Sequence, residues 1–323
     1  MFKKLLRISF VFLLVGLMFT SCKKDKFEPD TQQEDYNTTS IKASIPRIVE
    51  NNQGGINVFV NVTDQNGKAI TNMDVDNFKF EIMTPSGQTQ TMTPTGSTQN
   101  PSLIITALTM DYSGSMYTDS TSIPAMENAI STFLGLKDPS DYAEIIKFSD
   151  TLQVTVPLTD SLSVLQAGLI DTTFVGMNTT ALYAAMQVGA DDVVALANSN
   201  PTYLPSVVGF TDGKNNQPPL TPDTLIQNCI VDQIPIYTVG YGVAPDTAQL
   251  KNISSQTGGQ FFWNPGTANM NTVYQHINGQ LVNTTIIPLP GPSTKGHVTV
   301  KVTASYKAAV GVLKATAEKE FYY

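Results

Sequence analysis

The stretch from Leu103 to Met116 constrains the fold most. Residues 103–110 are an almost unbroken apolar run, and it stops abruptly at Asp111, Ser113 and Ser115. A short continuous apolar run of this kind fits a strand covered on both faces, the situation of a strand in a parallel sheet. Gly114 and the two serines suit a sharply bent loop behind it. The loop carries one carboxylate and two hydroxyls at i, i+2 and i+4. Hard oxygen groups converging at a strand end suit part of a divalent-cation site; a plain polar turn would use the same residues.

Two further stretches bear on that choice. Ser206-Val207-Val208-Gly209-Phe210-Thr211-Asp212-Gly213 is a second apolar strand ending in an acid. Gly176-Met177-Asn178-Thr179-Thr180-Ala181-Leu182-Tyr183 is a polar turn opening a helical pattern. In an open parallel sheet, ligands bind beyond the carboxyl ends of the strands, where the strand order reverses. All three stretches are expected to meet there.

These residues resemble the von Willebrand factor type A domain and its metal-ion-dependent adhesion site. Asp111, Ser113 and Ser115 match that family's Asp-x-Ser-x-Ser, with Gly114 and Met116 in its common bacterial spelling. Thr180, directly before Ala-Leu-Tyr, matches the threonine of the second loop, and Asp212 matches the last acid. The resemblance covers residues 102–283. The family often has Gly-Gly before the threonine, whereas Met177, Asn178 and Thr179 intervene here, so Thr179 is a rival to Thr180. The resemblance implies a divalent cation held by Asp111, Ser113, Ser115, Thr180 and Asp212, magnesium first, with manganese and calcium open. In the family the hydroxyls contact the metal directly and a vacant position takes a carboxylate from a partner protein.

The rest of 102–283 reads as alternating strand and helix, which predicts a doubly wound, mostly parallel α/β sheet with helices on both faces. Met126, Ile130, Phe133 and Leu134 lie at helical spacing, Thr221-Pro222 reads as a helix start, and Gly258-Gly259 as a helix stop. The flanking segments read as β. Ile56, Val58, Val60 and Val62 alternate before a turn at Asp64–Gly67, and Phe78, Phe80 and Ile82 alternate again. That turn faintly echoes a calcium loop, but no glutamate follows where one is required. After a stiff proline linker at Ile287–Pro292, Val298, Val300 and Val302 alternate, and Gly311–Tyr322 suits another strand. Segments 41–101 and 284–323 together reach the size of one immunoglobulin-like β-sandwich with the α/β domain inserted into it. Two small separate β elements are the alternative.

Residues 1–21 read as a lipoprotein signal peptide. Lys3, Lys4 and Arg7 precede an apolar run, Ile8–Phe19, that is too short to span a membrane. Phe19-Thr20-Ser21-Cys22 resembles a bacterial lipobox, which implies cleavage before Cys22 and its lipidation. Lys23-Lys24-Asp25 resembles the tether of Bacteroidetes-type lipoproteins, and 22–40 reads as a flexible tether. The expected location is therefore the cell envelope, anchored in the outer membrane on its surface or its periplasmic face.

A formal net charge of −8 argues against nucleic acid. Two cysteines and two histidines give neither a disulfide framework nor a zinc cluster. Cys229 reads as a packed thiol, His276 and His297 as surface residues, and Asp191-Asp192 as a solvated helix face. Trp263, with Phe261 and Phe262, reads as core in preference to a sugar platform. No Gly-x-Ser-x-Gly elbow or phosphate loop is present, and no catalytic residue or enzymatic activity is expected. Three functions stay open: a module that binds an acidic residue of a partner protein, a scaffold whose metal site only stabilises the fold, and a metal-dependent hydrolase. The oligomeric state is not legible.

Overall fold

The computed structural model describes residues 37–170, 174, 176, 179–217, 219–242, 245–264, 269–293 and 295–323. The signal segment, Cys22, most of the tether, and Met177 and Asn178 lie outside the described residues.

The chain begins with five strands: β1 (Ile41–Ser44), β2 (Ile48–Glu50), β3 (Gly55–Asp64), β4 (Phe78–Met83) and β5 (Thr89–Met92). The α/β part then runs β6 (Leu103–Asp111), α1 (Ser122–Gly135), β7 (Tyr142–Phe148), β8 (Leu152–Thr159), α2 (Leu162–Leu169), α3 (Leu182–Ala197), β9 (Tyr203–Thr211), α4 (Pro222–Val231), β10 (Ile236–Tyr241), α5 (Thr247–Thr257), β11 (Phe261–Asn264) and α6 (Met270–Val282). Three strands close the chain: β12 (Thr285–Pro290), β13 (His297–Ala308) and β14 (Gly311–Tyr322).

The central sheet has six strands in the order β11-β10-β9-β6-β7-β8. All neighbours are parallel except β7 and β8. From β6 the chain first builds outward through β7 and β8, then returns and builds the other way through β9, β10 and β11. The order therefore reverses between β6 and β9, where ligands bind in open α/β sheets. All nine residues of β6 are buried, as its apolar run requires. Helices α1, α2 and α6 cover one face through Ile130, Phe133, Leu165, Ile277 and Leu281. Helices α3, α4 and α5 cover the other through Met186, Val193, Leu225 and Ile253. Gly189 lets α3 press onto β6, since a Cβ there would come within 2.7 Å of the Ala107 Cβ. Thr221 caps α4 by accepting from the Thr224 amide, and Gly258 ends α5 with φ 94°.

The remaining strands form two antiparallel sheets, β1-β3-β12 with β2 also on β3, and β14-β13-β4-β5. They face each other across one core that includes Ile56, Val58, Phe80, Ile82, Leu289 and Val300. Strands from before and after the α/β part thus share a core, the arrangement expected of a sheet pair with a domain inserted into it.

Two expectations are corrected. The stretch Ile287–Pro292 is no linker: its first part belongs to β12, paired with β3 from Thr285↔Val60 to Pro290↔Gly55. The Ile286 amide points outward to the Gln99 carbonyl. Period-2 geometry puts Pro288 and Pro290 on that same outward side, so their missing N–H groups leave the β3 ladder intact. The strand that β12 pairs with, β3, is covered on both faces. All ten of its residues are buried. Its polar face is turned to the α/β part, where the Asn57 Nδ2 donates to the Pro201 carbonyl (3.0 Å) and the Asn61 Nδ2 to the Tyr237 hydroxyl (3.1 Å). Second, Trp263 is not core. It is 58% exposed, while Phe262 beside it is buried, because β11 is the edge strand of the six-stranded sheet and alternates between core and solvent.

Two buried cations line the same junction. The Lys319 Nζ donates to the carbonyls of Pro46 (2.6 Å) and Thr257 (3.1 Å). The Arg47 Nη2 donates to the Ala197 carbonyl (3.4 Å) and the Asn198 Oδ1 (3.3 Å). Burial, with the Arg47 charge beside it, pushes Lys319 down to about 7, and burial lowers Arg47 to about 10.

Candidate metal centre

Asp111 is the last residue of β6, and Asp212 directly follows β9. Because these two strands are neighbours in parallel register, both acids emerge on the same edge of the sheet at the switch point. Asp111 is fully buried and both its oxygens are engaged. The Ser113 amide donates to Oδ1 (2.8 Å) and the Thr211 hydroxyl donates to Oδ2 (2.6 Å). These bonds fold the loop back so that the serine hydroxyls gather: Ser113 and Ser115 Oγ lie 3.2 Å apart. The Ser115 hydroxyl then donates to the Asp212 Oδ1 at 2.7 Å.

The second loop arrives from the start of α3. Thr180 is 4% exposed. Its amide donates to the Asn216 Oδ1 (2.7 Å), and the Asn216 amide donates back to the Thr180 carbonyl (3.1 Å). The next amide, Ala181, donates to the Ser149 carbonyl behind β7 (2.7 Å). Gly176 lies against the first loop, and a Cβ there would overlap the Tyr112 carbonyl. A Cβ placed on Gly213 would be 3.9 Å from both the Ser115 Oγ and the Thr180 Oγ1, so these hydroxyls converge beside Asp212. Thr179 is engaged elsewhere: its hydroxyl accepts from the Gln217 Nε2 at 2.5 Å.

The structure thus brings Asp111, Ser113, Ser115, Thr180 and Asp212 into one cluster. Sequence reasoning missed the residues that brace it. Thr211 fixes Asp111, and Asn215 and Asn216 tie the third loop to the second through the Tyr183 and Thr180 amides. The only signal was their place directly around the Asp212-Gly213 turn.

The electrostatics fit a cation. Burial pushes Asp111 up to about 6, against the pull of its bonds from Thr211 and Ser113. Burial also raises Asp212 above the usual carboxylate range. Among the described residues no ion pair reaches either acid. No three His, Cys, Asp or Glu side chains among them are grouped as metal ligands, so hydroxyls make up the rest of the donor set. Two acids with neutral oxygens suit a hard cation that keeps bound water, and the buried Asp111 beside the half-buried Asp212 lacks the countercharge that such a group needs.

The von Willebrand factor type A domain family model matches residues 107–276. No curated protein sequence matches the chain. Among solved structures, proximal thread matrix protein 1 from the mussel byssus, in a form with a zinc-occupied MIDAS motif, is 16% identical over 58% of this chain and 47% of that one, with a TM-score of 0.48. The chain therefore spans about half the length of that protein. A von Willebrand factor type A protein from Catenulispora acidiphila is 12% identical over 90% of this chain and 75% of its own, at 0.49. BatB from Bacteroides thetaiotaomicron is 15% identical over 55% of this chain and 98% of its own, at 0.46.

Proposed function

This chain belongs to the von Willebrand factor type A family, and from that premise we propose that it is a lipid-anchored cell-envelope protein that captures an acidic residue of another protein through a divalent cation. The observation that carries this reading is a fully buried carboxylate, Asp111, beside a half-buried one, Asp212, with hydroxyls around them at the switch point of the sheet and no ion pair to either among the described residues. In the proposal Ser113, Ser115 and Thr180 supply neutral oxygens, while Asp111 and Asp212 supply charge and hold the hydroxyls in place. A bound cation, magnesium first with manganese or calcium as alternatives, supplies positive charge left partly unneutralised by this donor set, and so attracts a partner's carboxylate. We read the protein as an interaction module, for adhesion or assembly, and not as an enzyme.

The anchor belongs to the same proposal. Residues 1–21 direct export, Cys22 takes the lipid, and 22–40 lift the folded part from the outer membrane. No helix among the described residues is long and apolar enough to cross a membrane. We place the domain limits at 102–283 for the type A domain and at 41–101 with 284–323 for the sandwich.

The burial of Asp111 and Ser113, both 0% exposed, also favours a second reading, in which the metal only stabilises the fold. Both readings are tested by thermal unfolding of residues 23–323 in EDTA and then in Mg2+, Mn2+ or Ca2+, followed by capture of envelope proteins with and without chelator. The proposal expects a midpoint that rises with metal concentration and capture lost in EDTA. A metal-dependent midpoint with chelator-insensitive capture supports the scaffold reading. No shift with any ion overturns both.

A further inference from the structure

The edge of the molecule formed by β11 and α6 carries a feature that the metal-centre reading leaves unused. Trp263, the chain's only tryptophan, is 58% exposed on the outermost strand. Its single polar atom is already committed, since Nε1 donates to the Gly242 carbonyl at 3.2 Å. What faces water is ring surface, held in place by that bond. An exposed, fixed aromatic face is costly to a soluble surface and characteristic of binding sites.

A groove of about 350 Å3 adjoins it, at the low end of small-molecule pockets. Three parts of the chain line it: the turn after β3 with Asn66, the start of β11 with Gln260, and the first turns of α6 with Asn269, Thr272 and His276. The α6 residues are spaced i, i+3 and i+7, one face of a helix. The Gln260 Oε1 is engaged already, since it accepts from the Gln280 Nε2 (2.8 Å). The side chains of Asn66, Asn269, Thr272 and His276 have no hydrogen-bond partner among the described residues. Among the described residues, no Asp, Glu, Lys or Arg lines the groove.

This combination selects a chemistry. A charged ligand finds no countercharge there, and a purely apolar one leaves two amides, a hydroxyl and an imidazole unpaired. A ligand with flat C–H faces and a rim of hydroxyls satisfies both requirements, because each hydroxyl donates and accepts as the amides do. We propose that the Trp263 groove binds a neutral pyranose sugar, with its C–H face on the indole and its hydroxyls on Asn66, Asn269, Thr272 and His276. This site is separate from the metal centre and shares no residue with it.

The single tryptophan makes the test direct. The full chain is titrated with neutral glucose-, N-acetylglucosamine-, galactose- and mannose-type disaccharides while Trp263 emission is followed, with calorimetry in parallel. The expected result is a saturable change with at least one sugar, unaffected by EDTA. The order of response names the sugar, since the four differ in axial hydroxyls and the acetamido group. By calorimetry, Trp263→Ala should abolish binding and Asn269→Ala should weaken it at least ~5-fold, the loss of one hydrogen bond, with the unfolding midpoint kept in both. If Trp263→Ala does not fold, Asn269→Ala decides alone. Absence of saturable binding for all four sugars overturns the proposal, as does binding that survives Trp263→Ala or Asn269→Ala undiminished. Binding that disappears in EDTA assigns the sugar to the metal centre and overturns it too.

Discussion

Two of the places where the molecule buries charged side chains bear comparison, one cationic and one anionic. At the sandwich junction, the buried Lys319 donates to two backbone carbonyls, and the buried Arg47 to one carbonyl and the Asn198 Oδ1. At the switch point, the buried Asp111 and the half-buried Asp212 are held by hydroxyls and an amide, and, as at the junction, no ion pair reaches them among the described residues. The cations bridge segments far apart in sequence, Pro46 and Thr257 to Lys319, so their work is to fasten the sandwich to the α/β part. The fastening is imperfect, since the Arg47 Nε and Nη1 have no partner among the described residues. The anions bind loops that already neighbour one another and leave a deficit that an ion can fill. The first cluster is packed between two parts of the chain, whereas the second reaches the surface at Asp212, where an ion can enter.

Lys319→Ala should break the junction and leave the metal centre alone. It removes a long packed stem and strands two carbonyls, a cost of about 2–4 kcal/mol in urea unfolding. The metal-induced rise in midpoint should persist, and its loss would show that the two clusters are coupled. The junction should also respond to pH. Lys319 is near 7 when folded and 10.5 as a free side chain, so between those values the unfolded chain holds a proton that the folded one has released. Stability relative to Lys319→Met should therefore rise with pH from 7 to 10, by at most about 1.4 kcal/mol per unit, and stay level below 7. A wild-type curve parallel to that of the variant would refute the buried-cation account.

Asp111→Ala is the converse. At a metal concentration of about 100 times the dissociation constant, wild type should gain roughly 2.7 kcal/mol, and the variant nothing, by calorimetric unfolding. A retained gain would place the ion elsewhere. The finest distinction is between adjacent threonines. Thr180→Ala should weaken metal binding about tenfold, the loss of one oxygen contact, whereas Thr179→Ala should change it less than ~2-fold. The reverse order in a metal titration would restore the rival threonine.

Much of the fold was legible from one dimension. The apolar run of β6 required cover on both faces, and the strand–helix alternation with capping at Thr221 and Gly258 implied the doubly wound sheet. The proximity of the three loops followed from the rule that strand ends converge at a switch point. The choice of which threonine turns inward did not follow, because Thr179 and Thr180 differ only in their neighbours across space, Gln217 against Ser115 and Gly213. Lys319 was half legible. It shares its parity with Leu313, Ala315, Ala317 and Phe321 on β14, which already marked an inward position.

The sequence by itself determined the strands, the helices and the Asp-x-Ser-x-Ser loop, since periodicity, capping and turn chemistry act over a few residues. Tertiary structure alone decided what lay on each strand's other face. It buried the polar side of β3 against the α/β part, turned a proline-rich stretch into an edge strand, and left Trp263 in solvent at the rim of the sheet. The physical reason is the same in each case. Burial depends on which element packs alongside, and a strand's place in its sheet is set by partners tens to hundreds of residues away in the chain.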